Sequence, residues 1–566
     1  MSGFTRVLGV FLPLVLMNVS CTKCNKESTQ ALPSAQSKTG QTFKEAADQT
    51  LNLGNGAEPK EIDPALVTGE PDGNVVFNIF EGLVTLDNDT LEPQPAVAES
   101  WTISPDGKTY TFKIRKNAKW SDGSELTAED FVWSWTRVLT PMTASEYAYQ
   151  LYYVKNGEDF NKGKIKDPNM LGLKAPDKYT FVVELAHPTP FFLKLCAFYT
   201  LNPTPKQVVT KFPGQEWTKE ENIVSNGPYK LVEWKLNRHI KAVPNEYYWD
   251  KDAVKLKEIY FYPIENSDTE EKMFLSGKLH LTNTVPPLRI PKYEEEAKKM
   301  GADATYRAFP QLASYFYRFN VKRKPVDDWR VRRALALTID RTALVKNILH
   351  AGQVPATSFT PPVHGYSFKG DLPETVTPAA IAEAKKLLAE AGYPDGKGME
   401  KIEIHYNTLE AHKKIAVAIQ SMWKTNLGID VGLFNQEWKV YLDTQVKMDF
   451  TVSRAGWVAD YPDPNTFLDM FVTGGGNNKT NWSNKDYDHY IEQAGQTMDE
   501  AKRFDYFHKA EAILLKELPV LPIYFYTRPR LATPLLKRIV GGKYVVWVPN
   551  VIDRTVYKNF VLVEKI

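Results

Sequence analysis

Three side chains within seven residues supply the chemistry from which this chain can be read: Arg454, Trp457 and Asp460, in Phe450-Thr-Val-Ser-Arg-Ala-Gly-Trp-Val-Ala-Asp-Tyr-Pro-Asp-Pro464. The β-rich start predicts a strand, and Pro462 and Pro464 stop regular structure beyond it. A strand that runs out into a rigid loop carrying a cation, a large aromatic and an anion is built to present groups. Taken alone, the same residues are better read as a solvated strand end with a local ion pair.

No reactive centre competes with this stretch. The chain has no HExxH, GxSxG or P-loop, and Gly474-Gly-Gly476 lacks the Gly-Lys-Ser/Thr that would make it one. Cys21 and Cys24 have CxxC spacing but no second pair or His cluster follows, so no metal site is expected. Cys196, in Phe-Phe-Leu-Lys-Leu-Cys, reads as a small buried hydrophobe. Catalysis, metal and cofactor are all absent from this reading.

With 70 Lys plus Arg against 68 Asp plus Glu, no global field steers the protein toward nucleic acid or anionic lipid. The 13 Trp, 28 Tyr and 28 Phe fit either aromatic-lined surfaces or large cores. A length of 566 residues predicts about three or four domains. Arg6 followed by the apolar run from Val7 to Val19 reads as an export signal over 1–20, too short to remain as a membrane span. The polar stretch to about residue 48 reads as a disordered leash.

The elements that must position the chemistry are legible in part. Trp101 to Arg115 reads as a hairpin turning at Asp106-Gly107. Thr127, with Asp130 three residues on, predicts a capped helix whose Phe131, Trp135 and Val138 face a core. Asp328 caps a helix from Trp329, and Thr377-Pro378 opens another that Gly392 closes. Lys401–Asn407, Glu410–Asn426 and Ile429–Phe434 read as strand, helix and strand, which implies a parallel pair with a right-handed crossover. A long helix follows from Met498 to Lys516.

Ile62-Asp-Pro, Phe80-Glu-Gly-Leu, Ser104-Pro-Asp-Gly-Lys-Thr-Tyr-Thr-Phe, Ala118-Lys-Trp-Ser-Asp-Gly, Thr127-Ala-Glu-Asp-Phe-Val, Ser225-Asn-Gly-Pro-Tyr-Lys-Leu, Arg330-Val-Arg-Arg-Ala-Leu-Ala-Leu, Asn435-Gln-Glu-Trp and Arg454-Ala-Gly-Trp follow one another along the chain. In that order they resemble the solute-binding proteins of oligopeptide ABC importers. The resemblance implies an α/β fold of two lobes, the type II periplasmic-binding-protein or Venus-flytrap arrangement, with an extra domain inserted in lobe one. By that analogy lobe one comprises 49–83, 216–305 and 525–566, the insertion 84–215 and lobe two 306–524. The crossings near 306 and 524 are the expected hinge. Val19-Ser20-Cys21 resembles a bacterial lipobox, with Cys21 the lipidated residue, although Asn18 stands where Leu is usual.

The resemblance also implies roles. Asp460 matches the residue that pairs with a peptide ammonium, and an unperturbed Asp is ionised at pH 7. Arg454 matches a partner for the carboxylate of short ligands, where guanidinium can hold both oxygens. His412 matches a carboxylate partner for longer ones. Three potential cations, His412, Lys413 and Lys414, crowd a predicted helix N-terminus that an anion would relieve. Trp438 and Trp457 match ligand walls, and Tyr147 a contact to ligand backbone. Three departures stand out: Gln445 where the family often has Arg, Thr68 with Glu70 two residues on where some members have Glu, and Val458 where some have Cys. They change the charge expected around the ligand.

The function implied is capture of short peptides by a monomer in the periplasm or cell envelope, attached to membrane only through a lipid anchor, and delivery to an ABC permease and ATPase. Alternatives on the same fold are a murein peptide, metal chelate, haem or oligosaccharide as solute, or a surface receptor that no longer transports. Asp460 favours an ammonium-bearing ligand, because a neutral sugar gives a buried carboxylate no counter-charge.

Overall fold

The computed structural model describes residues 43–565. The expected export signal, the lipidated Cys21 and most of the leash lie outside the described residues. The described residues begin inside the stretch read as leash. Phe43–Glu45 is a strand paired antiparallel with the last strand, Phe560–Lys565, and Lys537 lies over the Phe43 ring at 4.9 Å. Three residues are too few to show a period, and their partner lies at the other end of the sequence.

A six-stranded mixed sheet holds the strand on which the argument turns. Its order is Val354–Pro355, Val520–Leu531, Tyr306–Phe319, Val452–Val458, Ile402–Asn407 and Val431–Gln436. Ile402–Asn407 and Val431–Gln436 run parallel and are joined by helix Glu410–Leu427, as the strand–helix–strand reading requires. Val452–Val458 is central: it runs antiparallel to Tyr306–Phe319, with Arg454 opposite Tyr317 and Gly456 opposite Tyr315. One face of this sheet is closed by Val331, Leu335, Ile415, Ile419 and Trp423.

Two long strands, Tyr306–Phe319 and Val520–Leu531, form a ribbon that serves two cores. Tyr315, Tyr317, Leu521 and Ile523 belong to the core of the six-stranded sheet. Tyr306 and Leu531, at the far end, pack instead with Val285 and Ile290. Between these halves the pairing register breaks at Pro310/Ser314, where proline removes a ladder donor.

Two further four-stranded sheets, or their connections, also contribute residues to the cavity described below. Thr50–Gly54, Glu258–Tyr262, His239–Pro244 and Tyr229–Lys235 form one. Ala98–Ile103, Thr109–Ile114, Thr180–Glu184 and Leu173–Asp177 form the other, covered by helix Ala128–Leu139. That helix starts with the expected capping box: the Thr127 N–H donates to the Asp130 carboxylate at 2.7 Å. Gly107 turns the hairpin at φ +70°, and Cys196 is fully buried, which drives its thiol pKa well up. A single hydrophobic core runs through both sheets and on to Phe359, Phe467 and Met470 beyond the strand end at Val458.

Candidate functional site

All seven side chains singled out above, Glu70, Tyr147, His412, Trp438, Arg454, Trp457 and Asp460, line one cavity of about 250 Å³. Residues from each of the three sheets or their connections close it, so it lies where the bodies meet rather than within one.

Asp460 sits two residues past its strand, on a loop fixed from behind. Its N–H donates to Thr466 Oγ1 at 3.0 Å, and the Trp457 indole donates to the Thr466 carbonyl at 2.7 Å. Arg503 clamps Asp463 with its Nη1 at 2.8 Å from the carboxylate, and Tyr461 stacks on Phe191 at 5.2 Å. The carboxylate itself accepts from Gln150 Nε2 at 2.9 Å and, weakly, from Tyr147 Oη at 3.5 Å. No cationic group pairs with it among the described residues; Arg554 donates to the Asp460 backbone carbonyl instead.

Burial therefore dominates this group and raises its pKa to about 8, against the opposing pull of Arg554 and of the hydrogen bonds from Tyr147, Thr466 and Gln150. This corrects the expectation of an ordinary, ionised Asp. A cation brought beside this carboxylate would favour its charged form and lower the pKa again.

Arg454 marks the other end. Its Nη2 donates to Tyr526 Oη at 2.6 Å and its Nη1 to Asn407 Oδ1 at 3.2 Å, and the guanidinium lies over the Tyr315 ring at 4.8 Å. Its Nε is buried with no hydrogen-bond partner, and among the described residues no carboxylate pairs with it. Gly456, two residues on along the same strand face, leaves space for this cluster: a Cβ there would stand 2.9 Å from Tyr526 Oη and 3.2 Å from Arg454 Nη2.

His412 is beside Arg454, buried to 5% exposure, with Nδ1 3.5 Å from Tyr315 Oη. Burial, helped by the Arg454 charge, drives its pKa well below 6.5, so it is neutral. The crowd of three cations does not form. Lys413 is exposed and Lys414 turns to Glu410 at 3.7 Å. What reaches the cavity is a neutral imidazole, able to donate to an oxygen.

The aromatic walls divide between the ends. Tyr147 lies 6.0 Å from Trp457 near Asp460. Trp438 opens helix Trp438–Val446, stacks on Tyr441 at 5.6 Å and faces Gly69, where a Cβ would come within 3.1 Å of its ring. Glu70 lies at the start of helix Glu70–Ile79 but is not a free anion, because Arg528 pairs with it while also meeting Asp553 at 3.1 Å. Gln445 does not line the cavity. It is buried behind Arg454, donating to the Arg454 carbonyl and Ser453 Oγ at 2.9 Å, so the expected change in ligand-facing charge is a change in scaffold.

Sequence reasoning missed Gln150, Tyr526, Arg528 and Arg554. Tyr526 and Arg528 carried a signal, since Tyr524, Tyr526, Arg528 and Arg530 alternate along a strand. Gln150 and Arg554 carried none, as they reach Asp460 over 310 and 94 residues of chain. Among the described residues no cluster of His, Cys, Asp and Glu could hold a metal ion, and no helix is long and apolar enough to cross a membrane.

Residues 92–479 match the family model described as bacterial extracellular solute-binding proteins, family 5. The chain belongs to that family. It is 39% identical over 504 residues to the periplasmic oligopeptide-binding protein OppA of Salmonella typhimurium, covering 88% of this chain and 90% of the relative. Its structure is similar to that of Haemophilus influenzae OppA in complex with RPPGFSPFR, at 37% identity and TM-score 0.85, covering 92% of this chain and all of the other. Escherichia coli MppA, a murein tripeptide binding protein, gives a TM-score of 0.86 at 36% identity, covering 92% of this chain and 99% of that one. The same protein in its unliganded open form gives 0.62. One sequence compared twice isolates conformation, so the present structure is not in that open form. The α/β architecture is thus the two-lobed one of the family, and the chain is a solute carrier rather than an enzyme.

Proposed function

We propose that this protein captures short peptides between two closing lobes and hands them to a membrane permease of the ABC type. The observation that carries the reading is a pair of unpartnered ionisable groups in one cavity: a buried carboxyl without a cation paired to it at Asp460 and a buried guanidinium without an anion at Arg454, among the described residues. A free peptide brings the opposite charge to each end. Burying either terminus without such a partner costs several kcal/mol. Trp457, Tyr147 and Trp438 wall the space between, where aromatic faces tolerate varied side chains. His412 would donate to the carboxylate of a longer ligand, while Glu70 tunes the wall through Arg528.

The relatives named for oligopeptides support this reading, and those named for murein peptide are likewise named for a peptide. In this proposal lobe two is 306–524, lobe one 49–83, 216–305 and 525–566, and 84–215 the insertion. The ribbon of two strands is the hinge, its register break the point of flexure. The carrier would act as a monomer in the periplasm or envelope, with Cys21 as lipid anchor, serving a permease and its ATPase.

Native mass spectrometry of the purified protein, with calorimetry against tri- to pentapeptides, tests the function. Bound peptides and tight binding of free peptides are expected. No co-purified peptide and no heat with any of the peptide set would sink it.

A further inference from the structure

Beside the peptide cavity lies a second one of about 410 Å³, and the two share part of their lining: Phe77, Ile552 and Arg554. The wall between them is therefore one side chain thick. Its centre is Arg554, whose guanidinium is held 4.8 Å from both the Phe77 and Phe198 rings. The same guanidinium donates to the carbonyl of Asp460 and approaches that of Ala197 at 3.5 Å. The wall thus stands at the Asp460 end of the cavity, not at the end of Arg454 and His412.

The chamber behind it is suited to more of the same kind of ligand. Asn202, Asn550, Thr85 and Thr555 offer amide and hydroxyl groups to a peptide backbone, which needs both donors and acceptors. Of its charged side chains, Arg538 pairs with Asp89 at 2.9 Å and Lys558 with Asp250 at 2.8 Å, while the Glu81 carboxylate accepts from Tyr248 and Trp249 and that of Asp87 from the Thr90 N–H. A capped or internal peptide segment, polar and uncharged, fits it better than a free terminus.

Resting on the reading of the first cavity as a peptide site, we propose that Arg554 is the specificity-determining stop that ends the ligand at its ammonium. Without this stop, residues N-terminal to that point would run into the second chamber. Two features make the side chain a stop rather than filler. Its cation repels an ammonium that would overshoot Asp460. Its stem and guanidinium, stacked between two rings, close the passage.

The test compares a free tripeptide, Ala-Ala-Ala, with the same tripeptide extended and capped, N-acetyl-Gly-Gly-Ala-Ala-Ala, by calorimetry on the full chain. The parent protein should prefer the free tripeptide at least a hundredfold. In Arg554→Ala the capped peptide should bind at least tenfold more tightly than it does to the parent, and the preference should fall below tenfold. A merely structural Arg554 would weaken both peptides together and leave the ratio unchanged, which overturns the proposal. Phe77→Ala opens the same wall from the helix side; it should move the ratio in the same direction, and settles the matter if Arg554→Ala does not fold. A parent protein that binds the free tripeptide while the ratio stays fixed in both variants refutes the stop alone. A parent that binds no free peptide refutes the peptide reading itself.

Discussion

The two ends of the cavity are built in opposite ways. The Arg454 end is made from one sheet and its helix: strands Val452–Val458, Ile402–Asn407 and Val520–Leu531 bring Arg454, Asn407 and Tyr526 together, and helix Glu410–Leu427 adds His412. The Asp460 end is assembled from segments that share no sheet: Tyr147 and Gln150, the loop after Val458, and Arg554 near the C-terminus. On the proposed function, the first would hold its geometry in either lobe position and the second would be complete only when the lobes meet. The anchoring charge and the closing contact would then be the same group, which would link capture to closure at Asp460.

The sharpest way to break this comparison is to remove the linked group. Asp460→Ala should cost about 3–5 kcal/mol in binding of free-amino peptides, the usual loss when one partner of a buried charge pair is deleted. Calorimetry should show the melting temperature without peptide unchanged or raised. Equal binding of acetylated and free peptides to the native protein would remove Asp460 from its role.

At the other end the expected effect is smaller, because Asn407 and Tyr526 already hydrogen-bond the guanidinium. Arg454→Ala should cost about 2 kcal/mol for short peptides with a free carboxylate. It should cost little for the C-terminal amides, and Lys should not rescue the loss because it lacks the paired donors. A loss that ignores the C-terminal charge would contradict the assignment.

Titration should separate the ends by sign. Asp460, whose pKa burial raises to about 8, holds a proton in the fold that the unfolded chain loses near pH 4, so its burial costs more stability as pH rises from about 4 to about 8. His412, depressed, contributes stability that is lost as pH falls through its ordinary 6.5. Without peptide, the thermal advantage of Asp460→Asn over the parent should therefore grow from pH 5 to pH 8, by up to about 1.4 kcal/mol per unit. That of His412→Gln should grow from pH 7 to pH 5. Parallel trends in the two variants would dissolve the distinction.

The smallest effect belongs to an exposed bridge across the cleft, Lys60 to Asp443 at 2.6 Å, with side chains 32% and 54% exposed. Breaking it by Lys60→Ala should change affinity by less than 1 kcal/mol and only at low salt. A larger loss would mean that closure is held at the rim as well as at Asp460.

The same contrast explains what the sequence disclosed. The Arg454 end was legible because regular elements announce themselves: the strand–helix–strand order, the caps at Asp328 and Thr377, and the β-rich run that leads into Arg454 are local patterns. His412 was legible in principle. It stands three and seven residues before Ile415 and Ile419, the spacing of the buried face, and so points inward as a neutral ring rather than outward beside Lys413. At the Asp460 end the spacing singled out Asp460 and Trp457, but their roles, and Tyr147 itself, came only through the family resemblance. The raised pKa of Asp460 and the hydrogen bond of Arg554 to its carbonyl depend on burial and on contacts between distant segments, which no window of sequence contains.

Gly456 carries a last consequence. Because one missing carbon lets Tyr526 and Arg454 lie across the strand, the floor of the cavity is set by what is absent there. A single-codon change to alanine would lift that floor by crowding both groups while leaving every charge in place. Ligand length in such a carrier could thus drift by the smallest mutational step available, without a new binding residue being made.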